Sequence, residues 1–152
     1  MDINFLKKAL YKACLDFVGQ RAATVNDIMA SSQKSLESET KSSAGDKHET
    51  GRAMLQLEME KASQQLVSIA YMEEILRKLN INDKAKTAKL GSLIFTSSGN
   101  YFLAIGLGAV QIGPNQFYVI SSTSPIGALL TGKKEGESVF FNGKTILIEE
   151  IY

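Results

Sequence analysis

Residues 55–76 read LQLEMEKASQQLVSIAYMEEIL, and this stretch decides the fold of the first half of the chain. Its apolar residues recur at alternating spacings of four and three, which is the heptad pattern of helices that supercoil around a partner. A narrow apolar stripe of this kind predicts a long helix that buries one side against another helix, with Glu73 as its one polar interruption. The stripe consists of Leu55, Met59, Ala62, Leu66, Ile69 and Leu76.

A second helical segment precedes this stretch and supplies the expected partner. No proline occurs before residue 90, and two helices of about 30 to 40 residues joined by a short polar segment predict an antiparallel coiled-coil hairpin. Paired helices also serve as dimerisation arms, and the periodicity alone does not separate these two readings. The apolar order of the first segment is less regular and runs through Leu6, Leu10, Cys14, Phe17, Arg21 and Ile28.

Composition changes near residue 90, because nine of the twelve glycines and both prolines lie after it. Short apolar runs separated by Gly and Asn predict strands, and Asn142-Gly143 predicts a type I′ hairpin turn. Ser124 as N-cap, Pro125 in the first turn and Gly132 as terminator predict one short helix. The strands are expected near residues 92–97, 101–105, 109–112, 116–121, 138–141 and 144–152.

These patterns predict an α+β fold in two parts. Residues 1–82 form the coiled-coil hairpin with its tip near residues 43–51, residues 83–90 form a linker, and residues 91–152 form a small antiparallel-sheet domain with one short helix. A sheet without a cofactor motif is more often a docking module than an enzyme.

The overall charge balance argues against direct nucleic-acid binding. The formal net charge is +1, from 17 basic and 16 acidic residues, so the chain lacks a basic footprint and a protein partner fits better. The single cysteine, Cys14, excludes an internal disulfide framework and a multi-cysteine metal site. No run of about 18 apolar residues occurs, as a membrane-spanning helix would require. We therefore expect a soluble cytoplasmic protein with no membrane partner.

Residues 45–51, GDKHETG, are the place in the helical half where glycine and acidic residues cluster. Asp46 and Glu49 are three residues apart, so their carboxylates would project from the same side at a helix start. Such hard oxygen ligands can complete the shell of a Mg²⁺ ion held mainly by another molecule. The same spacing also suits a capping box, with Asp46 as N-cap and Glu49 at N3. His48 lies between the acids, as a further ligand or a solvated residue.

The chain offers no catalytic apparatus of its own. Cys14 and His48 are 34 residues apart along a stiff helical arm, so they cannot form a nucleophile and base pair. Neither a phosphate-binding G-x-x-x-x-G-K-[ST] loop nor a C-x-x-C pair occurs. We therefore expect a protein that is not an enzyme and that has no cofactor of its own.

Two separated segments resemble the Gre family of bacterial transcript cleavage factors. The first is the Gly-Asp-x-x-Glu pattern of residues 45–49, between two long helices. The second is residues 121–139, SSTSPIGALLTGKKEGESV, which is similar to the family's C-terminal stretch of a Ser-Pro-x-Gly helix followed by Gly-Lys, an acid, Gly and a strand. The plan of a coiled coil followed by an FKBP-like domain covers nearly all of the chain.

The resemblance implies an elongation factor that binds RNA polymerase and inserts its tip into the secondary channel to stimulate cleavage of backtracked RNA. Asp46 and Glu49 would assist the polymerase active site by holding a second Mg²⁺, shared with the polymerase, and the attacking water. The polymerase would remain the nuclease, contact with RNA would be indirect, and the factor would be a monomer. The sheet domain would contact the channel rim through Ser124, Pro125, Ile126 and Gly127.

Departures from the family pattern leave alternatives open. Thr50-Gly51-Arg52-Ala53 follows the tip acids where family members usually have Asn-x-x-Tyr, and Ala128 stands where they usually have Arg. A Gre-related channel-binding regulator or inhibitor without cleavage activity is compatible with these changes. A helical-arm dimer or adaptor unrelated to polymerase is the alternative from another class, and in it a tip substitution would affect only helix stability.

Overall fold

The chain has an α+β fold in the computed structural model, which describes the backbone of residues 2–41 and 45–152 and the side chains of residues 2–38 and 49–152. Two long helices, α1 (Ile3–Lys41) and α2 (Gly45–Lys78), precede a six-stranded mixed sheet and a short helix, α3 (Pro125–Leu130). The strands are β1 (Leu93–Thr96), β2 (Gly99–Ala104), β3 (Gly108–Ile112), β4 (Asn115–Ser121), β5 (Ser138–Phe141) and β6 (Lys144–Ile151).

The predicted stripe of α2 is confirmed, with one correction. Ala62, Ile69 and Leu76 are buried, and the other predicted apolar positions are half-buried. Glu73 is exposed, whereas Met72 is half-buried. The prediction that Glu73 interrupts the stripe is therefore wrong. A step of three residues from Ile69 and a step of four to Leu76 place the apolar Met72 on the buried side, and the Glu73 carboxylate stays in water.

The apolar stripe of α1 differs from the predicted order at its middle. Arg21 is exposed, while Val18 and Val25 are 3% and 5% exposed. A helix that continues from Leu10 and Cys14 in four-residue steps reaches Val18, so a guanidinium does not have to be buried. Among the described side chains of this helix, residues 3–38, the buried positions are Leu6, Lys7, Leu10, Cys14, Val18, Val25 and Ser32.

The chain forms two compact units, residues 1–17 with 74–152, and residues 18–73. In the second unit, Ser35 near the end of α1 and Leu55 near the start of α2 line the same clefts, so the helices run antiparallel there. In the first unit, the Tyr11 hydroxyl donates to the backbone carbonyl of Leu76 at 3.1 Å. This bond ties the start of α1 to the end of α2.

The sheet has the order β3-β4-β2-β1-β6-β5, and all six predicted strands are confirmed within about two residues. The expectation of a purely antiparallel sheet is wrong, because β2 and β4 pair in parallel. β3 forms a hairpin with β4 and is largely exposed, whereas β4 carries the buried Phe117 and Val119. The more apolar strand takes the interior place beside β2, which leaves β3 at the edge.

The predicted local signals of the sheet domain are also confirmed. Asn142 and Gly143 have φ angles of 54° and 79°, as a type I′ turn between β5 and β6 requires. Gly132 has a φ of 86° just after α3, which ends that helix. One face of the sheet and α3 share an apolar cluster, each large member of which stabilises the fold by about 1.5–3 kcal/mol. Its buried members are Ala88, Ile94, Leu103, Ile126, Leu130, Val139, Ile146, Ile148 and Ile151.

The segment between α2 and β1 is bound to the sheet domain by its backbone. The Ala88 N–H donates to the Lys133 carbonyl, and the Gly132 N–H donates to the Ala88 carbonyl, both at 2.8 Å. The Ala88 side chain is buried. None of the helices in the described residues is long and apolar enough to cross a membrane.

Candidate functional site

The acidic pair predicted at the tip belongs to the first turns of α2. This helix begins at Gly45, so the backbone at Asp46 and Glu49 is helical, and a spacing of three residues places the two positions on neighbouring parts of one side. Glu49 is exposed. The side chains of Asp46 and His48 lie outside the described residues, as does the predicted capping box. Glu49 is therefore accessible to a molecule in solution.

The described side chains, residues 2–38 and 49–152, do not form a metal site by themselves. No group of three or more His, Cys, Asp or Glu residues is close enough there to hold an ion. Two carboxylates are also too few for a closed Mg²⁺ site, which needs near-octahedral oxygen coordination. The shared Mg²⁺ at the tip stays a prediction.

An open cleft of about 910 Å³ lies along α1 and α2, close to the start of α2. Met54 and Leu57 on its wall are 68% and 60% exposed. Lys34 and Lys61 add two positive charges beside the one acid, Glu58, among the described residues that line it. Exposed apolar side chains next to cations form a surface suited to contact with another macromolecule. The sequence pattern missed Met54 and Leu57, because both lie outside the heptad stripe.

The Ser-Pro-x-Gly segment is built around the Ser124 hydroxyl. Its oxygen accepts a hydrogen bond from the Gly127 N–H at 3.1 Å and donates one to the Ser121 carbonyl at 2.6 Å. Pro125 is the first residue of α3, where the missing N–H costs nothing. Ser124 therefore joins the end of β4 to the start of α3.

Gly127 is required at its position by a close approach of two backbone segments. A Cβ atom there would lie 1.9 Å from the Ser121 carbonyl oxygen, which is far inside van der Waals contact. The Gly127 carbonyl also accepts a hydrogen bond from the Thr131 hydroxyl at 2.7 Å. The glycine lets α3 pack directly on the end of β4.

The four predicted partner-binding residues differ in their exposure. Ile126 and Gly127 are buried, Ser124 is half-buried, and Pro125 is exposed. The large apolar residue that α3 exposes to solvent is Leu129, which is 38% exposed. Sequence reasoning missed Leu129, and the pattern gave no signal for its exposure, because a residue three positions after the buried Ile126 is expected on the same side of a helix. Ile126 and Gly127 therefore position the surface, while Pro125 and Leu129 are available for contact.

Cys14 has no reactive thiol in this fold. It is completely buried, and burial raises the pKa of the thiol to about 12, with a hydrogen bond to the backbone of Ile105 acting in the opposite direction. The neutral thiol is a poor nucleophile and a poor metal ligand. Cys14 acts as a small core residue.

Comparisons with known proteins add no family assignment. No protein-family model matches the sequence, and no curated protein matches it significantly. The resemblance to the Gre family therefore rests on residues 45–49, residues 121–139 and the order of the two parts of the chain. The function that it implies is a proposal.

Proposed function

We propose that this protein is a Gre-like transcription elongation factor that binds RNA polymerase and stimulates the cleavage of backtracked RNA. The observation that carries the proposal is the position of Asp46 and Glu49, three residues apart in the first turns of the second of two long helices. A slender pair of helices can carry two carboxylates into a channel that a globular domain cannot enter. The coiled-coil nature of α1 and α2 belongs to this proposal.

The chemistry would be that of the polymerase, assisted from the tip. In two-metal hydrolysis one ion activates the attacking water and the other stabilises the leaving oxygen. Carboxylates brought by Asp46 and Glu49 would raise the occupancy of the weakly held second Mg²⁺ and orient the water. The factor would be an accessory protein with indirect contact to RNA, and the Mg²⁺ would be shared.

The sheet domain would supply the docking contact at the channel rim, as the FKBP-like domain does in the Gre family. Support comes from α3, which the Ser124 hydrogen bonds and the Gly127 approach hold rigidly on β4. A rigid helix that presents Pro125 and Leu129 loses little conformational entropy when it binds. The buried Ile126 and Gly127 would act by holding these two residues in place.

Cleavage of RNA in a backtracked complex of the cognate polymerase with Mg²⁺ tests the proposal. We expect shortened transcripts with the wild-type protein, and none above background with the Asp46→Asn, Glu49→Gln double variant. The matched control is Glu60→Gln, Glu73→Gln, which removes two exposed acids from the same helix further from its start and should retain activity. Equal activity of the tip variant and the wild type would contradict the proposal.

A channel-binding regulator or inhibitor without cleavage activity is the second candidate. It is favoured by Thr50-Gly51 directly after the tip acids and by Ala128 on α3, where the Gre pattern has other residues. In this case the wild type and the tip variant would both compete for the channel and neither would shorten RNA. The same experiment with a competing channel-binding factor separates the two candidates.

A helical-arm dimer or adaptor unrelated to polymerase is the third candidate. Val67 and Tyr71, four residues apart on α2, are 72% and 60% exposed, and such a pair suits association with a second helix. The proposed elongation factor is a monomer, so its solution mass should equal 16.6 kDa. A stable dimer that does not bind polymerase would favour the third candidate.

A further inference from the structure

A cleft of about 390 Å³ lies in the unit formed by residues 1–17 and 74–152. Its walls come from the first turn of α1, residues 81–86 and the end of β6. The volume is within the range of small-molecule sites, about 300–1,000 Å³. Its cationic and apolar lining includes Lys7, Lys84, Lys86, Ile3, Ile81 and Tyr152.

Lys7 is the unusual residue of this cleft, because its side chain is 3% exposed although it carries an ammonium group. The Nζ atom donates to the backbone carbonyl of Asp83 at 3.4 Å, which is a long bond. An ammonium has three N–H donors, and no further acceptor for Lys7 occurs in the part of the chain that the structure describes. Buried donors without acceptors are costly, so an acceptor from outside the chain would stabilise this ammonium group.

The two acidic residues of the cleft are already engaged elsewhere. The Asp2 carboxylate accepts from the backbone N–H groups of Asn4 and Phe5 at 3.0 and 3.4 Å and so caps α1. The Asp83 carboxylate is paired with Lys89, and this hydrogen bond is the main reason that the pKa of Asp83 is lowered. Asp83 therefore offers Lys7 mainly a backbone oxygen.

The electrostatics of the cleft favour a negatively charged guest. Burial lowers the pKa of Lys7, the charge of Asp83 raises it, and the charge of Lys89 lowers it further. Lys84 and Lys86 are exposed at the cleft and add positive charge near the rim. An anion beside Nζ would supply a further acceptor and would add negative charge to that of Asp83, which Lys89 shares.

We propose that this cleft binds a small metabolite through an oxyanion, a phosphate or a carboxylate, that accepts hydrogen bonds from Lys7. Lys84 and Lys86 attract the anion from the rim. Ile3, Ile81 and Tyr152 contact the less polar part of the ligand, since these side chains form the rest of the wall. The site is independent of the proposed role at the polymerase.

Anion-dependent thermal unfolding of the full chain tests this site, with inorganic phosphate and citrate as separate probes and sodium chloride at matched ionic strength as reference. We expect a saturable rise of Tm with one or both probes. A response to phosphate would show that the site takes the phosphate group of a ligand. A response to citrate alone would show that it takes a carboxylate. No saturable response above that in chloride would overturn the proposal.

Lys7→Met keeps the length of the side chain and removes its charge, and it should weaken the apparent affinity about tenfold or more, as expected for the loss of a charge-assisted hydrogen bond. The matched control is Lys8→Met, an exposed neighbour on the same helix, which should bind like the wild type. If Lys7→Met binds as tightly as the wild type, the site is not the one proposed.

A second variant keeps the test decisive if Lys7→Met does not fold. Lys84→Gln, Lys86→Gln changes only exposed side chains and should lower the apparent affinity about threefold or more, because the rim charges attract the anion. Unchanged affinity in this variant would place the anion elsewhere on the protein.

Discussion

A Cβ atom at Gly127 would lie 1.9 Å from the carbonyl oxygen of Ser121, so α3 can sit on the end of β4 only with a glycine at this position. Ser124 bridges the same two segments with its hydroxyl. The Ser-Pro-x-Gly pattern is therefore explained by packing within the chain. Any partner contact depends on the residues that this packing leaves exposed.

Gly127→Ala should destabilise the protein by about 3 kcal/mol or more, because the added methyl group must displace a backbone carbonyl. Urea unfolding followed by circular dichroism measures the change. Gly106→Ala is the matched control, since a Cβ atom there meets nothing within 4 Å, and it should change the free energy of unfolding by less than about 0.5 kcal/mol. Equal stabilities of the two variants would contradict the close approach.

Ser124→Ala should lower the free energy of unfolding by about 1–2 kcal/mol, because it removes the N-cap of α3 and a hydrogen bond to Ser121. Ser124→Thr retains the hydroxyl and should recover most of the loss. Thermal unfolding of the three proteins provides the comparison. The N-cap role would be wrong if Thr and Ala at this position gave the same Tm.

Met72→Ala should destabilise the protein by about 1–2 kcal/mol, whereas Glu73→Ala should be neutral within about 0.5 kcal/mol. The reason is that Met72 is half-buried on α2 and Glu73 is exposed. Alanine has the highest helix propensity, so neither change weakens the helix itself. If Glu73→Ala were more destabilising than Met72→Ala, Glu73 and not Met72 would belong to the buried stripe.

The raised pKa of Cys14, about 12, predicts a loss of stability at high pH. An unfolded thiol has a pKa of about 8.5, so the folded state retains a proton that the unfolded state releases. This contribution is fully present below about pH 8.5 and falls as the pH rises toward 12, by about 2 kcal/mol at pH 10.

Comparison with Cys14→Ala isolates this contribution, because that variant lacks the thiol and retains the other titrating groups. Urea unfolding at pH 7.5 and pH 10 should show a smaller pH-dependent loss in the variant than in the wild type. Parallel losses in both proteins would show that the Cys14 pKa is not raised.

Lys7→Met should increase the free energy of unfolding by about 1 kcal/mol in chloride buffer, since removal of a buried charge without a full set of acceptors is neutral or stabilising. Burial lowers the pKa of Lys7, so the folded protein loses this proton at a lower pH than the unfolded chain. The advantage of the variant should therefore disappear as the pH rises above the pKa of Lys7 in the unfolded chain, about 10.4. Denaturant unfolding of both proteins at pH 7.5 and pH 11 measures this difference. A variant that is less stable than the wild type at both pH values would contradict the prediction.

The sequence by itself determined the features that depend on neighbouring residues. Asn142-Gly143 sets its turn because both residues tolerate positive φ, and Ser124 with Pro125 starts α3 because a hydroxyl caps the N–H that the helix leaves unpaired. The alternating spacing from Leu55 to Leu76 predicted α2 because one side of a helix repeats with that period. The cluster of glycine and acidic residues at 45–51 predicted a helix start there, and α2 begins at Gly45.

Only the tertiary structure decided the features that join distant residues. The parallel pairing of β2 with β4 gives the more apolar β4 the interior place and leaves β3 at the edge. The cleft at Lys7 forms because Asp83, 76 residues away, meets the first turns of α1. Local sequence patterns do not specify these long-range contacts, because the contacts arise from competition among many possible pairings for the same buried space.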